Sequence, residues 1–342
     1  MYGVVLPGQQ RVEGREFPLP EPGFGQVLVK MKASGLCGSD LRAIYYEHVG
    51  VGAEGYQGVI AGHEPAGEVE AVGPGVLDFN RGDRVIVYHI AGCGTCKECR
   101  RGHMISCSSS RRQAYGWQRD GGHADYLLAE ASTLVQLPDE LSYVDGALIA
   151  CGFGTAYQGI VRASVSGRDT VLVVGLGPVG LAVAMLAIAS GADVIAVDRV
   201  QERLRLAEQL GSACTLASSS ETPEQIREWT RGRGVEVAFD CSGNEQGRHL
   251  CLEAARAQGR VVFLGEGGTV SFAPSPLLLH KKLSLIGSWV CGLVEMEELA
   301  EHLVRRGVRP ERTVTHRFGL READAAYATF AQGRSGKVVL EM

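Results

Sequence analysis

No stretch of this chain approaches the roughly 20 consecutive apolar residues that a membrane-crossing helix needs. Its longest apolar run, around Val179–Ala189, is flanked by glycine in the manner of a helix in a soluble α/β unit. The opening residues, Met1-Tyr2-Gly3-Val4-Val5-Leu6-Pro7, lack the basic and apolar regions of a secretory signal, so a cytoplasmic location is expected. No basic run or arm is visible and the formal net charge is a mild −5, which argues against nucleic acid as a partner. Internal repeats and low-complexity linkers are also missing.

What remains is the composition of an ordinary globular protein, 45% hydrophobic and 21% charged. A chain of 342 residues exceeds the roughly 250 at which single cores tend to split, so two domains are expected. Before residue 150, short β-like runs such as Gln26–Lys32, Ala66–Val72, Asp83–Tyr88 and Ala124–Ala129 alternate with Gly- and Pro-rich turns. Beyond it the texture becomes strand–helix alternation: Thr170–Val174, the helix Val179–Ser190, Asp193–Val197, the helix Gln201–Leu210, then strands at Val235–Phe239, Arg260–Leu264 and Leu283–Ile286. That alternation implies an α/β fold with a doubly wound parallel sheet. The tail returns to mixed structure and ends in the strand-like Lys337–Glu341.

Three groups of residues carry chemistry. Gly175-Leu176-Gly177-Pro178-Val179-Gly180 is a G-x-G-x-x-G run between a strand and a helix, with Asp198 ending the next strand. The first two glycines permit a tight turn and backbone approach to a pyrophosphate, the third permits close helix packing, and the helix N-terminus attracts the phosphates. Asp198 suits the adenosine ribose hydroxyls and repels a 2′-phosphate, which favours NAD; Arg199 and Arg203 keep NADP as an alternative. Cys241, Ser242, Leu264 and Gly265 end further strands, where the cofactor can contact backbone. The second group is Cys93-x2-Cys96-x2-Cys99-x7-Cys107, four of the ten cysteines. With no secretory signal these are read as thiolates for a closed tetrahedral zinc rather than disulfides, an iron–sulfur cluster or redox thiols being the alternatives. The third is dispersed: Cys37-Gly38-Ser39-Asp40, Gly62-His63-Glu64 and Cys151. Two cysteines and a histidine form the ligand set of an open catalytic zinc. Spacing alone does not assemble them, since a lone histidine is commonly a local structural residue and a lone cysteine a small buried hydrophobe. Cys214, read as ending a strand, and Cys241, Cys251 and Cys291 read as packed thiols.

In this order along the chain, Cys37–Asp40, Gly62–Gly67, the four-cysteine loop and Gly175–Gly180 resemble the zinc-containing medium-chain dehydrogenases, which include alcohol, sorbitol and threonine dehydrogenases. The resemblance covers essentially the whole length. It implies a discontinuous GroES-like catalytic domain over residues 1–151 and 290–342 around a Rossmann domain over 152–289, two zinc ions per chain, and a homodimer or homotetramer. By position, Cys37, His63 and Cys151 are the implied catalytic zinc ligands, with either Cys151 or the adjacent Glu64 completing the shell, Asp40 orienting His63 and Ser39 relaying the substrate proton.

The implied reaction is oxidation of a substrate hydroxyl polarised by zinc, with hydride passing to NAD. Arg42 stands where relatives hold the histidine that ends the proton relay, so His48 or water is left for that role. His48, His89, Arg42 and Trp117 fall by family position near the substrate, and Trp289 near the nicotinamide pocket. A polar wall of that kind favours a polyol, sugar or cyclitol over a small aliphatic alcohol. Threonine or an amino alcohol, a simple alcohol, a zinc-free reductase of the same fold and a non-catalytic NAD-binding protein are the competing readings. The last two do not need Cys37, His63 and the cysteine loop together.

Overall fold

Thr170–Val174 is a run of mostly β-branched residues with only its first residue partly exposed, as suits a parallel strand covered on both faces. It lies in one of two units into which a computed structural model divides the chain: Thr155–Val290, and Met1–Gly154 with Cys291–Met342. The structure describes residues 1–50 and 55–342.

In the unit Thr155–Val290, six strands form one parallel sheet: β1 (Thr170–Val174), β2 (Asp193–Asp198), β3 (Cys214–Ala217), β4 (Val235–Asp240), β5 (Ala255–Phe263) and β6 (Ser284–Gly287). Their spatial order is β3-β2-β1-β4-β5-β6. The chain winds outward from β1 in one direction and then crosses to β4 to wind in the other, so the carboxyl end of β1 is the switch point where a doubly wound sheet binds its ligand. Helix α1 (Pro178–Ala189) opens there with proline at its start, where a missing N–H costs nothing, and it is buried along most of its length. Helices α2 (Gln201–Gln209), α3 (Thr222–Trp229) and α4 (Glu245–Ala254) complete the crossovers. Cys214 opens β3 instead of ending a strand, because the left-handed Gly211 (φ +105°) stops the preceding turn and the chain enters the sheet only afterwards. Strand β5 starts earlier than its apolar run: Ala255 pairs with Val235, and the register then jumps so that Arg260 pairs with Val237. The intervening residues bulge outward and hide the strand from a pattern search.

The other unit is built on a seven-stranded sheet. Its long strand Gln26–Gly35 pairs with Pro65–Val72 and Tyr126–Glu130, and Lys337–Glu341 returns antiparallel to it, Val339 opposite Gly35 and Glu341 opposite Ala33. The C-terminal segment is thereby sewn into the sheet formed by the first part of the chain. An N-terminal hairpin, Tyr2–Gly8 with Arg11–Glu16, turns on Gln9 and Gln10, both with positive φ (54° and 59°). Their N–H groups donate to the Tyr46 and Tyr45 carbonyls, which holds a turn that glutamine disfavours. Replacing Gln9-Gln10 by Asn-Gly keeps both bonds and relieves about 1–2 kcal/mol of backbone strain. Calorimetry is expected to show the transition of this unit rising by a few degrees.

Candidate active site

Cys37 leaves the strand Gln26–Gly35 and begins a short helical turn, Gly38–Asp40. Asp40, with no exposure, uses both carboxylate oxygens: Oδ2 accepts from the Cys37 N–H at 2.9 Å, and Oδ1 meets His63 Nδ1 at 2.8 Å. One buried carboxylate thus fixes the backbone of one candidate ligand and the ring of another, leaving His63 Nε2 to face the cluster. His63 follows Gly62, whose φ of +92° and contact with the His123 ring exclude any side chain. His123 is held by Ser34 Oγ at 2.8 Å and Tyr327 Oη at 3.0 Å, and burial lowers it to about 4, so it supports the site as a neutral ring. Cys151 lies in a π-helical turn, Ile149–Phe153, a distortion common where a helix must present a functional side chain. The ligand atoms of Cys37, His63, Glu64 and Cys151 all fall within 4.8 Å of one another.

The electrostatics of this group suit a cation. The Cys37 thiol is held well below its usual range, first by the hydrogen bond from Cys151 and then by His63, against burial. Burial alone would lower His63, yet the Asp40 charge and hydrogen bond raise it well above the usual imidazole value. Burial pushes Glu64 up to about 8 against the opposing charge of Lys337. Glu64 Oε2 is ion-paired with Lys337 Nζ, both groups being almost wholly buried, while Oε1 has no hydrogen-bond partner. Two sulfurs, an imidazole nitrogen and a carboxyl oxygen without a hydrogen-bond partner, packed together, form a donor set that a divalent cation fits once it displaces their protons. Lys337 was not among the residues that motif reading singles out. It arrives because the return strand places it beside Glu64, and its only trace in the sequence is a lysine opening an apolar strand.

Ser39 Oγ stands 3.5 Å from His63 Nε2. The His89 ring lies 5.3 Å from that of His63, and its Nδ1 donates to the Ala150 carbonyl at 2.9 Å. Burial, then the His63 charge, lower His89 to about 4, so it is neutral and its Nε2 is an acceptor. His48 is exposed, with Nε2 at 2.9 Å from the Leu6 carbonyl and its ring packed edge-on with Tyr56. Arg42 is exposed, Trp117 packs partly buried against the core beside Tyr45 and Tyr327, and Trp289 is 56% exposed.

The four cysteines of the 93–107 loop also converge within 4.8 Å. Backbone N–H groups aim at their sulfurs, Cys96 at Cys93 (3.3 Å), Cys99 at Cys96 (3.4 Å) and Cys93 at Cys107 (3.5 Å). Hydrogen bonds from Thr95 lower Cys93 to about 5, whereas burial pushes Cys99 up to about 12. Four cysteine sulfurs at this separation could hold a cation, and a shell made of all four would leave no position for substrate.

In the parallel-sheet unit, Gly175 has φ +89° and lies against the Ser242 backbone. A Cβ on Gly180 would fall 1.8 Å from the Gly175 carbonyl, whereas one on Gly177 would meet nothing. The first and third glycines are therefore required by the protein itself, and Gly177 faces space a phosphate can fill. Pro178 and Val179 are partly exposed at the start of α1. Asp198 accepts from the N–H groups of Leu176 (2.5 Å) and Val200 (2.8 Å), which fixes its carboxylate at the end of β2. Arg199 is exposed and Arg203 is half-buried with its charge near Asp198. The N–H groups of Leu264 and Gly265 donate to the Asp240 carbonyl and that of Cys241 to the Val174 carbonyl, tying the ends of β1, β4 and β5 together.

Two family models match this chain: an alcohol dehydrogenase GroES-like domain over residues 23–139 and a zinc-binding dehydrogenase over residues 178–305. The chain is 52% identical over 347 residues to the "uncharacterized zinc-type alcohol dehydrogenase-like protein YphC" of Escherichia coli, covering 99% of this chain and 98% of that protein. It is 32% identical over 341 residues to the sorbitol dehydrogenase of Halalkalibacterium halodurans, covering 95% and 94%. Among solved structures it is similar to the alcohol dehydrogenase TADH from Thermus sp. ATN1, with a TM-score of 0.88 at 31% identity, covering 100% and 99%.

Proposed function

Because the chain belongs to the zinc-type medium-chain family of alcohol, sorbitol and threonine dehydrogenases, we propose that it oxidises a secondary hydroxyl of a polyol, sugar or cyclitol to a ketone with NAD. The observation that carries the substrate class is His89. Its Nδ1 proton is committed to Ala150, so Nε2 can accept a hydrogen bond from a second substrate hydroxyl beside the candidate metal ligands. The sorbitol dehydrogenase among the relatives supports the same class. A buried acceptor of this kind penalises a substrate that offers it no donor.

Cys37, His63 and Cys151 would hold the catalytic zinc, and Cys93, Cys96, Cys99 and Cys107 would hold a second, structural zinc. When bound, zinc lowers the pKa of the substrate hydroxyl and the nicotinamide accepts hydride from the carbon. Asp40 keeps the proton on His63 Nδ1, so that Nε2 would be the ligating atom. Ser39 Oγ takes the substrate proton. The N–H groups of Gly177, Val179 and Gly180 would receive the pyrophosphate, and Asp198, fixed at the end of β2, would bind the ribose hydroxyls and disfavour a 2′-phosphate. His48 is the candidate proton exit, although its ring nitrogen is already engaged with Leu6. The outer edge of β6, with Leu285 41% exposed, supports association with a second copy as a homodimer or homotetramer.

The test is a panel of linear polyols, sugars, inositols, aminocyclitols, L-threonine and primary alcohols with NAD and NADP, read as NADH or NADPH formation. Polyol-type substrates with NAD are expected to lead. His89→Phe should lower their kcat/KM by about 10–100-fold relative to a primary alcohol. Oxidation of unbranched primary alcohols alone would overturn the substrate class, and a preference for L-threonine would move it to amino alcohols.

A further inference from the structure

Arg248, in α4, is only 9% exposed, and its guanidinium is turned inward. Nη2 donates to the carbonyls of Gly265 (2.9 Å) and Gly267 (2.7 Å), Nη1 to that of Gly268 (3.1 Å), and Nε to Asp240 Oδ2 (3.3 Å). Asp240 has no exposure, and its Oδ1 is occupied by the Ser242 N–H (2.9 Å), the Ser242 hydroxyl (2.6 Å) and the Gly243 N–H (3.3 Å). Arg248 and Asp240 together therefore tie the loop after β4 to the loop after β5.

The second of those loops is Leu264-Gly265-Glu266-Gly267-Gly268, with positive φ at Gly267 (94°) and Gly268 (56°). A Cβ on Gly243 would lie 2.2 Å from the Glu266 carbonyl, and one on Gly265 would lie 2.2 Å from the Gly243 nitrogen. Such a glycine-rich loop has many conformations open to it unless something restrains it. The planar fork of arginine can grip several carbonyls at once, which an ammonium cannot do in the same geometry.

The strand order says what the loop is for. With the pyrophosphate at the carboxyl end of β1 and the adenosine ribose at Asp198 on β2, the other half of a dinucleotide must extend the opposite way, over the ends of β4 and β5. We propose that Arg248 is a positioning residue for the nicotinamide half of the cofactor, holding Gly265–Gly268 in its binding shape without touching the cofactor itself. This rests on the dinucleotide reading of the same sheet.

The experiment compares affinities for NADH and for ADP-ribose, which lacks the nicotinamide, in the zinc-loaded wild type, Arg248→Lys and Arg248→Met. Arg248→Met is expected to weaken NADH by about 10–100-fold, with ADP-ribose unchanged within about twofold. Arg248→Lys, which keeps the charge beside Asp240 but loses the fork, should fall between. Equal weakening of both ligands, or of neither, overturns the proposal. A wild type that binds neither ligand would instead sink the dinucleotide reading. Amide hydrogen exchange on the unliganded wild type gives an answer that needs no variant. Residues 264–268 should already be protected before NADH is added, and protection arising only with NADH would also overturn the proposal.

Discussion

Cys151→Ala is expected to lower alcohol oxidation by at least about 10³-fold and to leave one zinc per chain, while Glu64→Gln keeps two. The Lewis-acid contribution of a catalytic metal is several kcal/mol, and each 1.4 kcal/mol is tenfold in rate. Both residues lie within the 4.8 Å cluster, but their second contacts differ. Glu64 Oε2 is tied to Lys337, whereas the Cys151 thiol points to Cys37, whose own pKa it depresses. On that difference we expect Cys151 to be the third protein ligand and Glu64 a neighbouring group. Glu64→Gln should therefore show itself in stability. Because burial pushes Glu64 up to about 8, its charge pair with Lys337, 1% exposed, is complete only above that pH, and there the substitution leaves the ammonium without its counter-charge at a cost of about 3–5 kcal/mol. Metal analysis by mass spectrometry separates the two variants, and thermal denaturation reads the second cost as a drop of roughly 10 °C. Loss of zinc from Glu64→Gln with Cys151→Ala fully loaded would reverse the assignment.

These assignments depend unequally on what the sequence displays. Gly175–Gly180 and Asp198 could be read directly, because the turn, the strand before it and the helix after it are contiguous, and Gly175, Gly180 and Asp198 each meet a local demand of backbone geometry. The four-cysteine loop was equally legible, since its ligands lie within one short segment. Cys37, His63 and Cys151 were not, for their meeting is produced by sheet pairing and a π-turn that no local spacing encodes. Lys337 and Arg248 were missed for a related reason. Lysine and arginine ordinarily mark solvent, and only tertiary partners, Glu64 for one and three loop carbonyls for the other, make their burial tolerable. The N-terminal hairpin also escaped, since its Gln-Gln turn carries no Asn-Gly or Asp-Gly signal and is held by the carbonyls of Tyr45 and Tyr46.

Cys99→Ala should have the second large effect, and a different one. The zinc bound by this loop is expected to be lost while the catalytic zinc remains, because three thiolates no longer close a tetrahedral shell. In isolated zinc-binding peptides the metal contributes roughly 10–16 kcal/mol to folding, which sets a ceiling here. The loss should be smaller because parts of the loop have other anchors: Gly102 accepts from the Leu293 N–H, and Met104 is buried. The segment between Cys93 and Cys107 has only a four-residue helix and a three-residue 3-10 turn of its own, so without the metal its order rests on those few contacts. Lys97, Arg100, Arg101 and Arg111 are exposed along or beside it, which makes trypsin a direct reporter. Cleavage of Cys99→Ala should concentrate at these residues and precede any cut in the parallel-sheet unit, with ADP-ribose binding retained. Intact two-zinc stoichiometry and unchanged trypsin resistance would show that the loop does not depend on a metal. Cleavage spread evenly over both units would mean that the variant had lost its fold as a whole, and that the loop is not an independent module of stability.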